Sequence, residues 1–245
     1  SVTITAYAEQ VYNYDVEVYN ASGVKISDDD QNSKASWTEG LKLANANAGS
    51  TIKLMRNVNL GELSASQEIK NNVTLDLNGK TLSASLKASN TATYRRMFLL
   101  NTANKTFTIT DTKTGGVIDV AANYANYKYA VYVAKGNVIL NNGKIQIENT
   151  TTGNSNVTYA TGVYLAANTS FTMEGGEILA KHLNKRRADG IYAASNTTTP
   201  SVITINKGKI TAQAYNYAYG IYSTGTVNIN GGEITGETVG GATAY

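Results

Sequence analysis

One short pattern returns down this chain and decides most of what the chain can fold into. VNINGGEITGE (227–237) follows ITINKGKITAQ (203–213), FTMEGGEILAK (171–181), VILNNGKIQIEN (138–149) and, one residue shorter, LDLNGKTLSAS (75–85). Aligned on Gly143, Gly176, Gly208 and Gly232, apolar residues fall five and three positions earlier. These are Val138 and Leu140, Phe171 and Met173, Ile203 and Ile205, Val227 and Ile229. Two positions after the glycine stands Ile145, Ile178, Ile210 or Ile234. Alternation with period two on both sides of the glycine predicts strand, tight turn, strand, with the glycine at the corner in a positive-φ conformation.

A second element rules out a string of hairpins. AVYV (130–133), TGVYL (161–165), DGIYA (189–193) and YGIYS (219–223) each precede a glycine corner, and their tyrosines Tyr132, Tyr164, Tyr192 and Tyr222 lie 32, 28 and 30 residues apart. Each repeat thus holds three short strands and returns to the same phase, as a coil stacked on itself does. One coil alone leaves both sides of its core layer open, so coils stabilise one another only by stacking. The expected fold is all-β: a single-stranded parallel β-helix, a solenoid of about six or seven rungs, with an N-terminal capping α-helix. Asn78, Asn141, Asn206 and Asn230 recur after the apolar pair, with Glu174 as the exception. They predict an internal ladder of amides bonded from rung to rung; ordinary turn chemistry is the other reading. The charged residues after the glycine (Lys144, Glu177, Lys209, Glu233) are expected to face solvent.

Three units are expected. Residues 1–33 read as a strand-rich segment with an irregular strand pair around NASG (20–23), the end of a preceding module. Residues 34–49 hold the capping helix: Ser36 and Glu39 form a capping box, Trp37, Leu41, Ala44 and Ala48 share one face, and Gly49 suits the C-cap. Trp37, the only tryptophan, is expected to plug the open core of the first rung. Residues 50–245 form the β-helix, and GGATAY (240–245) stops in phase with YNYAYGIY, so a longer solenoid is expected.

Composition narrows the chemistry. With no Cys, a disulfide framework, a thiolate metal site and a Cys nucleophile are all excluded. A formal charge of +3 with dispersed acids gives no footprint for nucleic acid. No apolar run is long enough for membrane insertion.

AGSTIKLMRNVNLG (48–61) and NNVTLDLNGKTLSA (71–84), with the G-[IV]-Y and N-x-G-[KE]-I repeats, resemble right-handed parallel β-helix domains of the pectin-lyase-like superfamily. The likeness is greatest to adhesin-like repeats of bacterial surface proteins and covers roughly residues 36–245. It implies a right-handed solenoid, a secreted or cell-surface location, a host or cell-wall glycan or a protein as partner, and a monomer. The superfamily also contains pectate lyases and polygalacturonases, which implies as an alternative a lyase or hydrolase acting on an acidic polysaccharide. Polygalacturonase-like members carry N-T-D, D-D, H-G and R-x-K motifs. Here N-T-D is missing, the only consecutive aspartates are Asp28, Asp29 and Asp30, and the single histidine, His182, is followed by Leu.

Two candidate sites follow from the residues themselves. In KHLNKRRADG (181–190), Lys181, His182, Arg186, Arg187 and Asp189 read as one insertion loop able to hold an acidic sugar or a phosphate; a solvated basic loop is the bland reading. No acidic cluster accompanies them, so no metal and no cofactor is expected. The second site is Tyr132, Tyr164, Tyr192 and Tyr222. Alternation turns their neighbours inward and these rings outward, about 4.8 Å apart on successive rungs. Such a face suits glycan or protein contact, or serves as a structural ladder under covering loops.

Overall fold

The computed structural model describes residues 9–86, 94–124, 126–152, 158–194 and 198–240. The chain is predominantly β, 58% strand and 5% helix, wound as a parallel β-solenoid of about four turns. Shorter windings precede those turns, so one of its sheets is seven strands deep. The expectation of six or seven rungs matches the depth of that sheet and exceeds the number of turns.

Three faces build the wall. The first comprises Gln67–Ile69, residues 94–100 and 126–133, Thr158–Leu165, Arg187–Ala193 and Tyr217–Ser223. The second runs from Ser50–Leu54 through Val73–Asp76, 106–110, 137–140, Thr169–Met173 and Val202–Ile205 to Thr226–Ile229. The third is the seven-stranded sheet: Val58–Leu63, Thr81–Leu86, Val117–Ala122, Lys144–Asn149, Glu177–His182, Lys209–Ala214 and Glu233–Thr238. Every pairing within these faces is parallel. The exception lies at the N-terminal edge, where Val16–Tyr19 pairs antiparallel with Ser50–Leu54.

The repeat is legible in the core. Ile118, Ile145, Ile178, Ile210 and Ile234 lie in register on the third face, the first four fully buried. Opposite them Phe107, Val138, Phe171 and Ile203 form a second buried column. Gly176 has φ 81, and a Cβ there would stand 2.5 Å from the carbonyl oxygen of Gly143, the equivalent corner one turn earlier. The glycine of G-[IV]-Y answers a different constraint. A Cβ on Gly190 would meet Ile210 Cγ2 at 2.4 Å and the Gly220 carbonyl at 2.5 Å. The two repeated motifs are therefore one device: the isoleucine after the corner fills the space that the glycine of the tyrosine motif leaves empty.

Outside the corners a charged column runs up the stack, with Lys144 3.3 Å from Glu177 and Lys209 3.2 Å from Glu233. The asparagines depart from the expected internal ladder. Asn230 Nδ2 donates to Asn206 Oδ1 (2.8 Å) and Asn206 Nδ2 to Glu174 Oε2 (3.0 Å), but both bonds are solvent-exposed. Each of these residues directly follows an inward-facing one, so alternation turns it outward. Of the recurrent asparagines, Asn78 does bond rung to rung from a buried position: at φ 50 its Nδ2 donates to the Leu54 carbonyl at 2.8 Å.

The helix spans Trp37–Ala46, shorter than expected. Ser36 Oγ accepts from Glu39 N, and Asn47 leaves the helical conformation while its side chain donates to the Leu43 carbonyl. Ala48 is accordingly exposed rather than on the buried face. Trp37, Leu41 and Ala44 join the core, and Trp37 sits edge-on to Phe98 at 6.2 Å with its Nε1 donating to Gln67 Oε1 at 2.8 Å. The tryptophan is a plug, as the capping pattern predicts.

Candidate functional site: the tyrosine face

Parallel pairing brings Tyr132, Tyr164, Tyr192 and Tyr222 into one register column on the outer side of the first face. Their neighbours Val131 and Val133, Val163 and Leu165, Ile191 and Ala193 are buried, while the rings are half-buried and Tyr222 is 37% exposed. Successive rings stack with centroids 4.3, 5.5 and 5.2 Å apart and interplanar angles of 17, 9 and 8°. The rings thus turn their faces toward each other and their edges toward solvent.

A second column lies beside the first. Tyr129, Thr161, Asp189 and Tyr219 are in register, and beyond them Tyr127, Tyr159, Arg187 and Tyr217. Strict alternation would place Asp189 and Tyr192, three residues apart, on opposite sides. The break at Gly190, which the ladder of paired residues skips, puts both outside.

Asp189 is completely buried although it lies on the outer side of the wall. Arg187 Nη2 stands 2.8 Å from Asp189 Oδ1, and Arg187 Nε donates to both carboxylate oxygens at 2.9 and 3.0 Å. Thr161 Oγ1 adds a long contact of 3.5 Å. The guanidinium is caged by rings, 4.5 Å from Tyr219, 4.6 Å from Tyr222, 5.1 Å from Tyr159 and 5.3 Å from Tyr192. Such a contact is worth about 0.5 to 1 kcal/mol when exposed and about 2 kcal/mol once desolvated. Burial pushes the Asp189 carboxyl up to about 6, against the opposing pull of Arg187. Burial also works against the charge of Arg187, but Asp189 more than offsets it and the guanidinium stays protonated. At the other end of the ladder Arg96 lies 4.8 Å over Tyr132.

The expected insertion loop is corrected: residues 181–189 are not one loop. Lys181 and His182 end a strand of the third face, Arg187 and Asp189 begin a strand of the first, and 183–186 connect them. Lys181 points outward beside Glu148. His182 points into the core, completely buried, with no partner for either ring nitrogen among the described residues, and burial lowers its pKa to about 4. Arg186 lies 5.9 Å over Tyr217. The period-two pattern of EILAKH already carried the signal, since Ile178 and Ala180 fix His182 as an inward position.

Two concavities stand out. The first, about 180 Å³, lies beside the ladder and is lined by Tyr127, Tyr129, Tyr159, Thr161, Tyr164 and Tyr192. The second, about 470 Å³, runs across the third face past Glu62, Ser85, Asp119, Gln146 and Glu148. Register sets Asp119 and Glu148 on neighbouring strands there, with Gln146 Nε2 donating to Asp119 Oδ1 at 3.1 Å. Asp111 is committed to a corner instead, accepting from Gly79 N at 2.6 Å and Gly116 N at 2.7 Å. Among the described residues no three His, Asp or Glu gather as metal ligands, and no helix is long and apolar enough to cross a membrane. Compared with known proteins, the chain matches no family model, no curated protein and no solved structure.

Proposed function

We propose that this chain is a non-catalytic module of a bacterial cell-surface protein: a rigid, adhesin-like solenoid whose tyrosine face contacts a glycan or a protein. The observation that carries this reading is the tyrosine face, where Arg187 and its buried partner Asp189 fix the rings Tyr159, Tyr192, Tyr219 and Tyr222 around one guanidinium. A preordered aromatic surface loses little side-chain entropy on binding. The parallel solenoid and the motifs at 48–61 and 71–84 support kinship with the pectin-lyase-like superfamily, and with it a secreted or surface location.

Immobilised chain is to be tested for retention of host and cell-wall glycans and of surface proteins. The double variant Tyr192→Ala, Tyr222→Ala is expected to lose the retained partner while still folding, with the far-UV spectrum of the parent and a thermal midpoint lowered by the loss of two ring contacts to Arg187. Retention unchanged in that variant refutes the contact face.

The groove on the third face favours one second reading, a glycoside hydrolase. A carboxylate pair flanking a sugar bond is what hydrolysis needs, and Asp119 and Glu148 share that groove. Release of reducing ends from a polysaccharide panel, abolished by Glu148→Gln, would establish it in place of the first.

A further inference from the structure

The stacked ladder cannot itself be a platform for a ring-shaped ligand, because Tyr132, Tyr164, Tyr192 and Tyr222 turn their faces to one another. The cleft beside it is built differently. Tyr127 meets Tyr159 at 85° with centroids 4.8 Å apart, and Tyr129 meets Tyr164 at 62° and 5.1 Å. Rings set edge to face wall a concavity with both kinds of surface, apolar faces and polar edges. Thr161 also lines it, its hydroxyl directed at Asp189.

We infer that this cleft is a subsite for one pyranose ring of a neutral glycan, seated between Tyr159 and Tyr164. The inference rests on the contact-face reading and commits it to a sugar. Three observations select this ligand. At about 180 Å³ the cleft falls below the roughly 300 Å³ at which pockets for drug-sized ligands begin, so it takes one ring and not a helix or an extended peptide. A saturated sugar ring divides its surface as the cleft does, with C–H faces and hydroxyl edges, whereas an aliphatic or flat aromatic anchor matches the ring faces alone. The charge balance selects a neutral sugar. Arg187 already lies against Tyr159 and Tyr192, two of the cleft's own rings, which disfavours a cationic ligand there. Asp189 neutralises Arg187 at 2.8 Å, so the ion pair against the cleft's rings carries no net charge of its own to draw in a uronate. The repeat along the wall then lets the rest of a polymer run on over neighbouring rungs.

The test is calorimetric titration of the whole chain with hexasaccharides of β-1,4-linked glucose, mannose and N-acetylglucosamine, and with hexagalacturonate as the charged comparison. One neutral hexamer is expected to bind, with little dependence on salt. Tyr159→Ala is expected to weaken it about tenfold or more, the worth of one lost ring contact, while Tyr159→Phe stays within about threefold. Tyr222→Ala, on the ladder but outside the cleft, is expected to stay within about twofold. Thermal midpoints of the variants serve as the folding control. Hexagalacturonate binding in preference to every neutral hexamer overturns the inference. A neutral hexamer lost in Tyr222→Ala but kept in Tyr159→Ala also overturns it, yet leaves the contact face standing. No sugar bound overturns the inference, and a protein partner lost in the Tyr192→Ala, Tyr222→Ala variant would then show that the contact-face reading survives it.

Discussion

Two buried titratable groups give this fold opposite responses to acid, and substitution can separate them. His182 is neutral in the core with a pKa lowered to about 4 from 6.5, the cause being burial. A depressed folded pKa means stability that is present above 6.5 and lost as pH falls toward 4. At 1.36 kcal/mol per unit, lowering pH from 7 to 5 costs about 2 kcal/mol at this residue. Asp189 works the other way: burial raises its pKa from 3.8 to about 6. Its contribution is fully present below 3.8 and lost as pH rises through 6, so the same acidification returns about 1.3 kcal/mol. Together the two nearly cancel. His182→Leu is therefore expected to gain stability relative to the parent between pH 7 and 5, and Asp189→Asn to lose it, each by about 1 to 2 kcal/mol. Urea unfolding followed by far-UV circular dichroism at pH 5, 6 and 7 reads both slopes. Comparison with the parent removes carboxylates common to all three proteins, including Asp15 and Glu17, whose pKa values are lowered in the fold. Parallel curves for parent and variants would refute the assignment of these two groups as the buried titrating pair.

Other consequences are simpler. Gly176→Ala, which combines φ 81 with a Cβ contact of 2.5 Å to the corner below, is expected to cost about 2 kcal/mol or more. Gly115→Ala, at φ 97 in open space, should cost only about 1 kcal/mol by the same unfolding assay. Trp37→Ala should cost about 3 to 5 kcal/mol, because it removes the plug over Phe98. In the parent chain the emission of that one tryptophan should be blue-shifted and shielded from acrylamide until the fold melts. Asn206→Ala should cost about 1 kcal/mol or less, since the ladder it belongs to is wet. A larger loss in a denaturation curve would mean that the amide stack carries the corner.

The fold was legible because its determinants are local and repeated. The apolar pairs, the corner glycine and the isoleucine after it each report one position of a coil, and the phase returns every turn. The capping helix was legible from Ser36, Glu39 and its apolar face, though Asn47 ended it earlier than Gly49 suggested. What escaped were features set by the third dimension. Outward placement of Asn206 and Asn230 follows from alternation after Ile205 and Ile229, although the recurrence of Asn from repeat to repeat suits an internal ladder equally well. Arg187 and Asp189 looked like loop residues because RRADG is polar. Only the register against Tyr159, Thr161 and Tyr219, with the break at Gly190, shows them as the buried centre of an aromatic cage. The cleft is harder still to foresee, since its walls come from three successive turns.

Hydroxyl-radical footprinting of the chain bound to its glycan or cell-surface partner tests the central claim most directly, because tyrosine rings report their own exposure. The account predicts protection of Tyr159, Tyr192 and Tyr222 on binding, with Tyr12 near the N-terminal end unchanged. Bound chain whose first-face tyrosines oxidise as fast as in the free protein would contradict it.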